Sequence, residues 1–168
     1  KRIRPLGAKS YQTALVVPVV NFQRSLASLQ FIAPDGGKRL LSGGQKKGCF
    51  IPVADRLKFS ERILICEGWA TACTLADWEP SSSVLAAIDA GNLMSVTLGA
   101  RARWPSSELV VAGDDDRLTP GNPGATKARA AAIAANALLA MPKWGTDLPI
   151  HLSDFNDLDS WRVSTKGE

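Results

Sequence analysis

Three short stretches, Arg62–Cys66 (RILIC), Val84–Ile88 (VLAAI) and Glu108–Ala112 (ELVVA), are apolar at nearly every position rather than at alternate ones. Unbroken apolarity over so short a run is what a strand covered on both faces requires, and strands of that kind belong to parallel sheets flanked by helices. The intervening segments supply the helices. One is expected from about Trp69 to Trp78, a second over Leu93–Arg103, and a third over the alanine-rich Gly124–Ala140 (GATKARAAAIAANALLA), whose composition favours a helix throughout. Leu148–Leu152 (LPIHL) reads as a fourth, weaker strand. Strands alternating with helices give βαβ units with right-handed crossovers, hence an α/β fold on a parallel four-stranded sheet flanked by helices.

The first third of the chain has a different texture. Thr13–Val20 (TALVVPVV) is β-branched and apolar, Asn21–Arg24 is a short turn, and Ser25–Ala33 (SLASLQFIA) alternates as a partner strand would. Pro34-Asp35-Gly36-Gly37 is a strong turn signal, because proline presets φ and glycine accepts a positive one. Lys38–Leu41 and Cys49–Val53 then read as two further short strands around the loop Ser42–Gly48. This is a small antiparallel β lobe, residues 1–60, preceding an α/β domain of residues 61–168. Pro18 cannot donate to a ladder, which favours an edge position for the first strand.

Composition narrows the class. With 45% hydrophobic and 21% charged residues the chain can build a core, so it is neither disordered nor fibrous. No apolar run approaches the roughly 20 residues that span a bilayer, and the basic start Lys1-Arg2-Ile3-Arg4-Pro5 lacks the apolar segment of a signal peptide. The start without Met suggests a fragment. Three scattered cysteines (Cys49, Cys66, Cys73) and a single histidine make neither a zinc site nor a disulfide scaffold, and fit a reducing cytoplasm. The net charge of +4 hides an asymmetry: residues 1–62 carry twelve Lys/Arg against three acids, residues 63–168 eight against thirteen. That pairs a basic surface suited to a polyanion with a carboxylate-rich region suited to cations, unless it is merely uneven surface charge.

In open parallel sheets ligands bind beyond the carboxyl ends of the strands. Two expected strands end there in acids, one in Glu67 and one in Asp114-Asp115-Asp116. Carboxylates at i and i+2 of a tight loop, joined by a third from a neighbouring strand, form an oxygen-only set suited to Mg²⁺ or Mn²⁺ rather than zinc. Their mutual repulsion is most simply relieved by a cation. Taken singly, each has a plainer reading: a solvated Asp turn, and a Glu at a helix N-terminus. Their joint placement at two strand ends favours a site.

These residues carry a resemblance. Ile65-Cys66-Glu67-Gly68 with Ala70-Thr71-Ala72, then Ala90-Gly91-Asn92-Leu93, then Val111–Asp116 resembles the Toprim domain in its primase-type version from plasmid and phage replication proteins. Asn122-Pro123-Gly124, Lys127-Ala128, Asp154–Leu158 and Pro34–Arg39 extend the likeness over nearly all of residues 13–158. The resemblance implies a Toprim-like sheet and a catalytic, metal-holding set of Glu67, Asp114 and Asp116, with Asp115 as the variable middle residue. It implies Mg²⁺ (or Mn²⁺) as cofactor and transfer of nucleotides onto an RNA primer along single-stranded DNA. The partners implied are the DNA template, ribonucleoside triphosphates and a helicase domain or protein.

The remaining candidates have two readings each. Lys38, Arg39, Lys46 and Lys47 are placed to meet template or nucleotide phosphates, or form an exposed basic hairpin. Gly43, Gly44 and Gly48 would let a backbone approach, although the loop lacks the Gly-Lys-Ser/Thr of a Walker A motif. Lys127 and Arg129 would steer a triphosphate or simply decorate a helix. Asp154 and Asp157 extend the acidic site, Asp154 reading equally as a helix N-cap. Asn92 caps or orients a nearby loop, Trp69 stacks on a base or packs in the core, and lone His151 is packed or on the surface. A Toprim nuclease, with water in place of the primer hydroxyl, and a non-catalytic nucleic-acid-binding module remain as alternatives. A topoisomerase is disfavoured because Tyr11, the single tyrosine, lies outside the motifs.

Overall fold

A computed structural model describes residues 13–53, 61–146 and 148–166; the basic segment 1–5, Tyr11 and the expected boundary near residue 60 lie outside them. Leu15–Val20 (β1), Leu26–Ile32 (β2) and Lys38–Leu40 (β3) form an antiparallel sheet in the order β1-β2-β3, so the Pro18 strand is at an edge as expected. Alternation sends Val17 and Val19 of β1 inward, where both are buried. Lys38 and Leu40 share the inward face of β3, opposite Ile32 and Gln30 of β2.

The next strand departs from the sequence reading. Ile51–Val53 (β4), expected in the basic lobe, pairs antiparallel with Ser83–Ala86 (β6) at the edge of the larger sheet. Its neighbours Cys49 and Phe50 are fully buried, so burial decided its place, and a single bridge from Val20 to Phe50 ties the two sheets together. Arg62–Cys66 (β5) lies at the centre, and the order is β4-β6-β5, followed by Glu108–Ala112 (β7) and Leu138–Ala140 (β8). The four strands β6, β5, β7 and β8 are mutually parallel.

Helices cover both faces, which explains the unbroken apolar runs. Ile63, Ile65, Leu109 and Val111 face Ala90–Arg103 (α2) and Pro123–Ala134 (α3). Leu64, Cys66, Val110 and Ala112 face Trp69–Trp78 (α1), Phe155 of the last helix, Phe155–Lys166 (α4), and the inward valines of β1. No helix among the described residues is long and apolar enough to cross a membrane.

The alanine-rich helix ends earlier than its composition suggests. Asn136 turns left-handed at φ 48°, and Arg101 fixes the end by donating to the carbonyls of Ala135 and Asn136. The chain then enters β8, the actual fourth parallel strand, beside β7. Leu148–Leu152 is not a strand: Pro149 has no N–H, and the Leu152 carbonyl accepts from Arg117 at 2.9 Å instead of from a ladder.

Asn92 stitches the layers together. Buried to 2% exposure, it donates Nδ2 to the carbonyls of Lys46, Cys49 and Ala87 and accepts from the Gly48 N–H at 2.9 Å. Asn92→Ala removes these four bonds, those to the Cys49 and Ala87 carbonyls being buried, and is expected to cost about 2–4 kcal/mol in urea unfolding. A loss below about 1 kcal/mol would show that the loop is held by other contacts.

Candidate active site

Strand β5 runs directly into Glu67 and β7 into Gly113-Asp114, so the central parallel pair delivers both acids to the same end of the sheet. They line a cleft of about 450 Å³ whose other walls are Asp154, Asp89, Gly68 and Ile88 on one side and Gln30, Lys38, Arg39 and Leu40 of the antiparallel sheet on the other. The acidic half of the chain and its basic half thus meet across one opening.

Electrostatics in the cleft are unfavourable as they stand. Burial, followed by the charge of Asp116, pushes the Glu67 carboxyl up to about 7, against the opposing pull of the Lys127 ammonium and the Ala90 N–H. Asp114 is pushed to about 8, first by burial and then by Glu67, Asp154 and Asp116, with Lys38 pulling the other way. Glu67 Oε1 and Asp114 Oδ1 are buried without a hydrogen-bond partner. Buried polar atoms normally find a partner, and leaving one unmade costs about 1–3 kcal/mol. Cys66 is surrounded by the same acids; burial and their charge hold its thiol well above the ordinary range, so it is not a nucleophile.

A hard divalent cation fits this donor set. The donors are all carboxylate oxygen, two of them are orphaned, and the excess charge is negative. Among the described residues no group of three His, Cys, Asp or Glu is already gathered as a metal site.

Asp116 is not among the residues lining the cleft but acts on both acids through its charge, and it accepts from the Gly124 N–H at 2.9 Å, at the N-terminus of α3. Gly124 is required there, since a β-carbon would come within 2.7 Å of the Asp114 carbonyl oxygen and 2.8 Å of Asp116 Oδ2. Asp154 accepts from Thr71 Oγ1 and from the Asp157 N–H, both at 2.8 Å, so it lines the cleft and caps α4 at once. Asp157 instead reaches back to the Ser153 N–H at 2.8 Å and serves the cap alone.

The basic candidates divide. Lys38 reaches over the Glu67-Gly68 turn, where a β-carbon on Gly68 would lie 3.4 Å from its Nζ, and Arg39 lines the cleft beside it. Lys127 is exposed on the second turn of α3 and acts on Glu67 through its charge. Lys46 is instead paired with Asp89 at 2.6 Å, Lys47 and Arg129 are exposed away from the cleft lining, and Asn92 orients the 46–49 loop. Trp69 packs against the core, and His151 is exposed.

Sequence reasoning missed Gln30, Ile88 and Asp89. Asp89 caps α2 by accepting from the Asn92 N–H, and its position just after an apolar run and before Ala-Gly-Asn was the available signal. Ile88 holds φ at 80°, a conformation β-branched residues avoid, and nothing in the sequence announces it.

A doubly covered parallel sheet with acids at two strand ends, facing a basic antiparallel lobe, defines an α/β domain with an acidic cleft. A Toprim-domain family profile matches residues 62–162, more than half of the chain, and the chain belongs to the Toprim family. Two Escherichia coli proteins, each named DNA primase TraC, are 37% and 38% identical to it over 142 residues, 81% of this chain. The chain spans only 9% and 13% of their lengths. The primase fragment of the bacteriophage T7 primase-helicase superposes with a TM-score of 0.56 at 13% identity, over 90% of this chain and 60% of that one. A T7 lagging-strand polymerase complex with primase domains bound to an RNA/DNA hybrid and dTTP gives 0.53 at 12%, over 90% and 74%. These likenesses show the fold.

Because Glu67 and Asp114 titrate higher in the folded chain than when unfolded, they favour folding at low pH, and that contribution is lost as pH rises through about 7 and 8. Without divalent cation the chain is expected to melt roughly 5 °C lower at pH 8.5 than at pH 6. Asp114→Asn reduces that slope, and Mg²⁺ narrows the gap in the parent chain alone. Equal melting temperatures at the two pH values in scanning calorimetry would contradict the described electrostatics.

Proposed function

We propose that this chain is the catalytic Toprim portion of a DNA primase, joining ribonucleotides along a single-stranded DNA template. The observation that carries the reading is the cleft lined by Glu67 and Asp114, each with an orphaned buried oxygen, and by Lys38 and Arg39. Kinship with primases supports the choice of reaction.

Asp114 and Asp116, with Glu67 beside them, would hold Mg²⁺ or Mn²⁺. The cation, when bound, neutralises charge on the transferring phosphate and activates the attacking hydroxyl. Glu67 accepts the proton of the primer 3′-hydroxyl at one oxygen, a role its raised affinity for protons suits near neutral pH. Lys38 and Arg39 take the triphosphate oxygens from the opposite wall, and Lys127 adds positive charge at the start of α3. The basic face of the small lobe tracks the template backbone, whose affinity for such a surface is largely electrostatic. Asp154 holds its place between α1 and α4 and fixes the acidic wall. The surroundings implied are a reducing cytoplasm, a plasmid or phage replication system and a helicase acting alongside.

Synthesis of short labelled RNA on single-stranded DNA with Mg²⁺ or Mn²⁺ tests the reading. Glu67→Gln is expected to lower the yield at least about 100-fold, the scale of a lost general base. Template cutting without synthesis would replace the reading with a nuclease. An unaltered rate in Glu67→Gln would contradict the role of Glu67.

A further inference from the structure

Asp115 stands between the two site acids, yet its side chain leaves the cleft. Its Oδ1 accepts from Asn122 Nδ2 at 2.6 Å and its Oδ2 from Trp144 Nε1 at 2.7 Å. Its own N–H donates to the Ser153 carbonyl at 2.6 Å. Arg117 lies over the Trp144 ring at 4.4 Å, approaches Asp115 at 3.6 Å and donates to the Leu152 carbonyl. One residue therefore ties the end of β7 to the start of α3, to the segment after β8 and to the residue before Asp154.

Each tie has a consequence in the cleft. Asn122 can present Oδ1 to the Ala125 N–H as cap of α3 only while its Nδ2 faces Asp115. That cap sets the helix end whose Gly124 N–H holds Asp116. The Ser153 bond, made by the Asp115 backbone N–H, fixes the segment that delivers Asp154 to the acidic wall. Carboxylates that repel one another stay together only if their backbones are braced, and the brace is on the side away from the ligand.

We infer that Asp115 is a positioning residue, acting through Asn122 and Trp144 to hold Asp114 and Asp116 in the arrangement that takes a divalent cation. The inference rests on the proposed reading of the cleft as a cation site. Metal-binding proteins commonly depend on such outer supports, whose loss weakens binding about 10–100-fold.

Calorimetric titration of the 168-residue chain with Mn²⁺ tests it. In Asp115→Asn the amide keeps one acceptor, but its NH₂ must face one of two donors. Trp144→Phe keeps an aromatic ring for Arg117 to lie over but is smaller and has no N–H. Both are expected to weaken Mn²⁺ binding about 10-fold. The control is Trp78→Phe, which breaks the same kind of bond, Trp78 Nε1 to Asp159 at 2.9 Å, under Arg162 on the α1–α4 surface. It should lower the melting temperature comparably and leave Mn²⁺ affinity unchanged. Parental affinity in either folded variant, or an equal loss in the control, overturns the inference while leaving the site reading intact. Should Asp114→Asn bind Mn²⁺ as the parent does, the site reading itself falls, and the inference with it.

Discussion

Mutual repulsion among carboxylates at the carboxyl ends of β5 and β7 is the constraint around which the rest of this structure is arranged. Left alone, buried like charges would protonate or drive the loops apart, and Glu67 and Asp114 are both displaced toward the protonated form. What keeps the backbones in place is unrelated to the charges themselves. The parallel ladder pairs β5 with β7 from Arg62 and Glu108 through Ile65 and Val111, and residues on both faces of those strands are buried. The covered sheet is thus the rigid element that makes an unfavourable cluster possible.

The second arrangement is the meeting of two charge halves. The antiparallel sheet is no appendage: Val17 and Val19 lie in the same core as Leu64 and Val110, and β4 leaves the basic segment to complete the larger sheet. Shared packing fixes where Lys38 stands relative to Glu67. Lys46, by contrast, is already paired to Asp89 beside the N-terminus of α2, so the basic charge of the lobe is partly structural.

Much of this was legible in the sequence where one signal dominated. The bounds of β5, α1 and β7 follow from apolar runs that no competing pattern disturbs, and Glu67, Asp114 and Asp116 follow from where those strands stop. The alanine run was misleading because helix propensity is intrinsic while strand β8 exists only through its pairing with β7. The place of β4 likewise depends on a partner more than 30 residues away, Ser83–Ala86, which no local pattern encodes. The ties of Asp115 were hidden for the same reason: its partners Asn122 and Trp144 converge only after folding.

The account stands on two carboxyl groups sharing one cleft with an unmet need for positive charge. Carbon-13 NMR of the side-chain carboxyls, titrated with and without Mg²⁺ and assigned through Glu67→Gln and Asp114→Asn, reads that directly. In the metal-free chain Glu67 is expected to titrate near 7 and Asp114 near 8, and both should fall toward the ordinary carboxyl range when Mg²⁺ is added. Two groups titrating near 4 without metal, the value of free carboxyls, and unmoved by its addition would contradict the account.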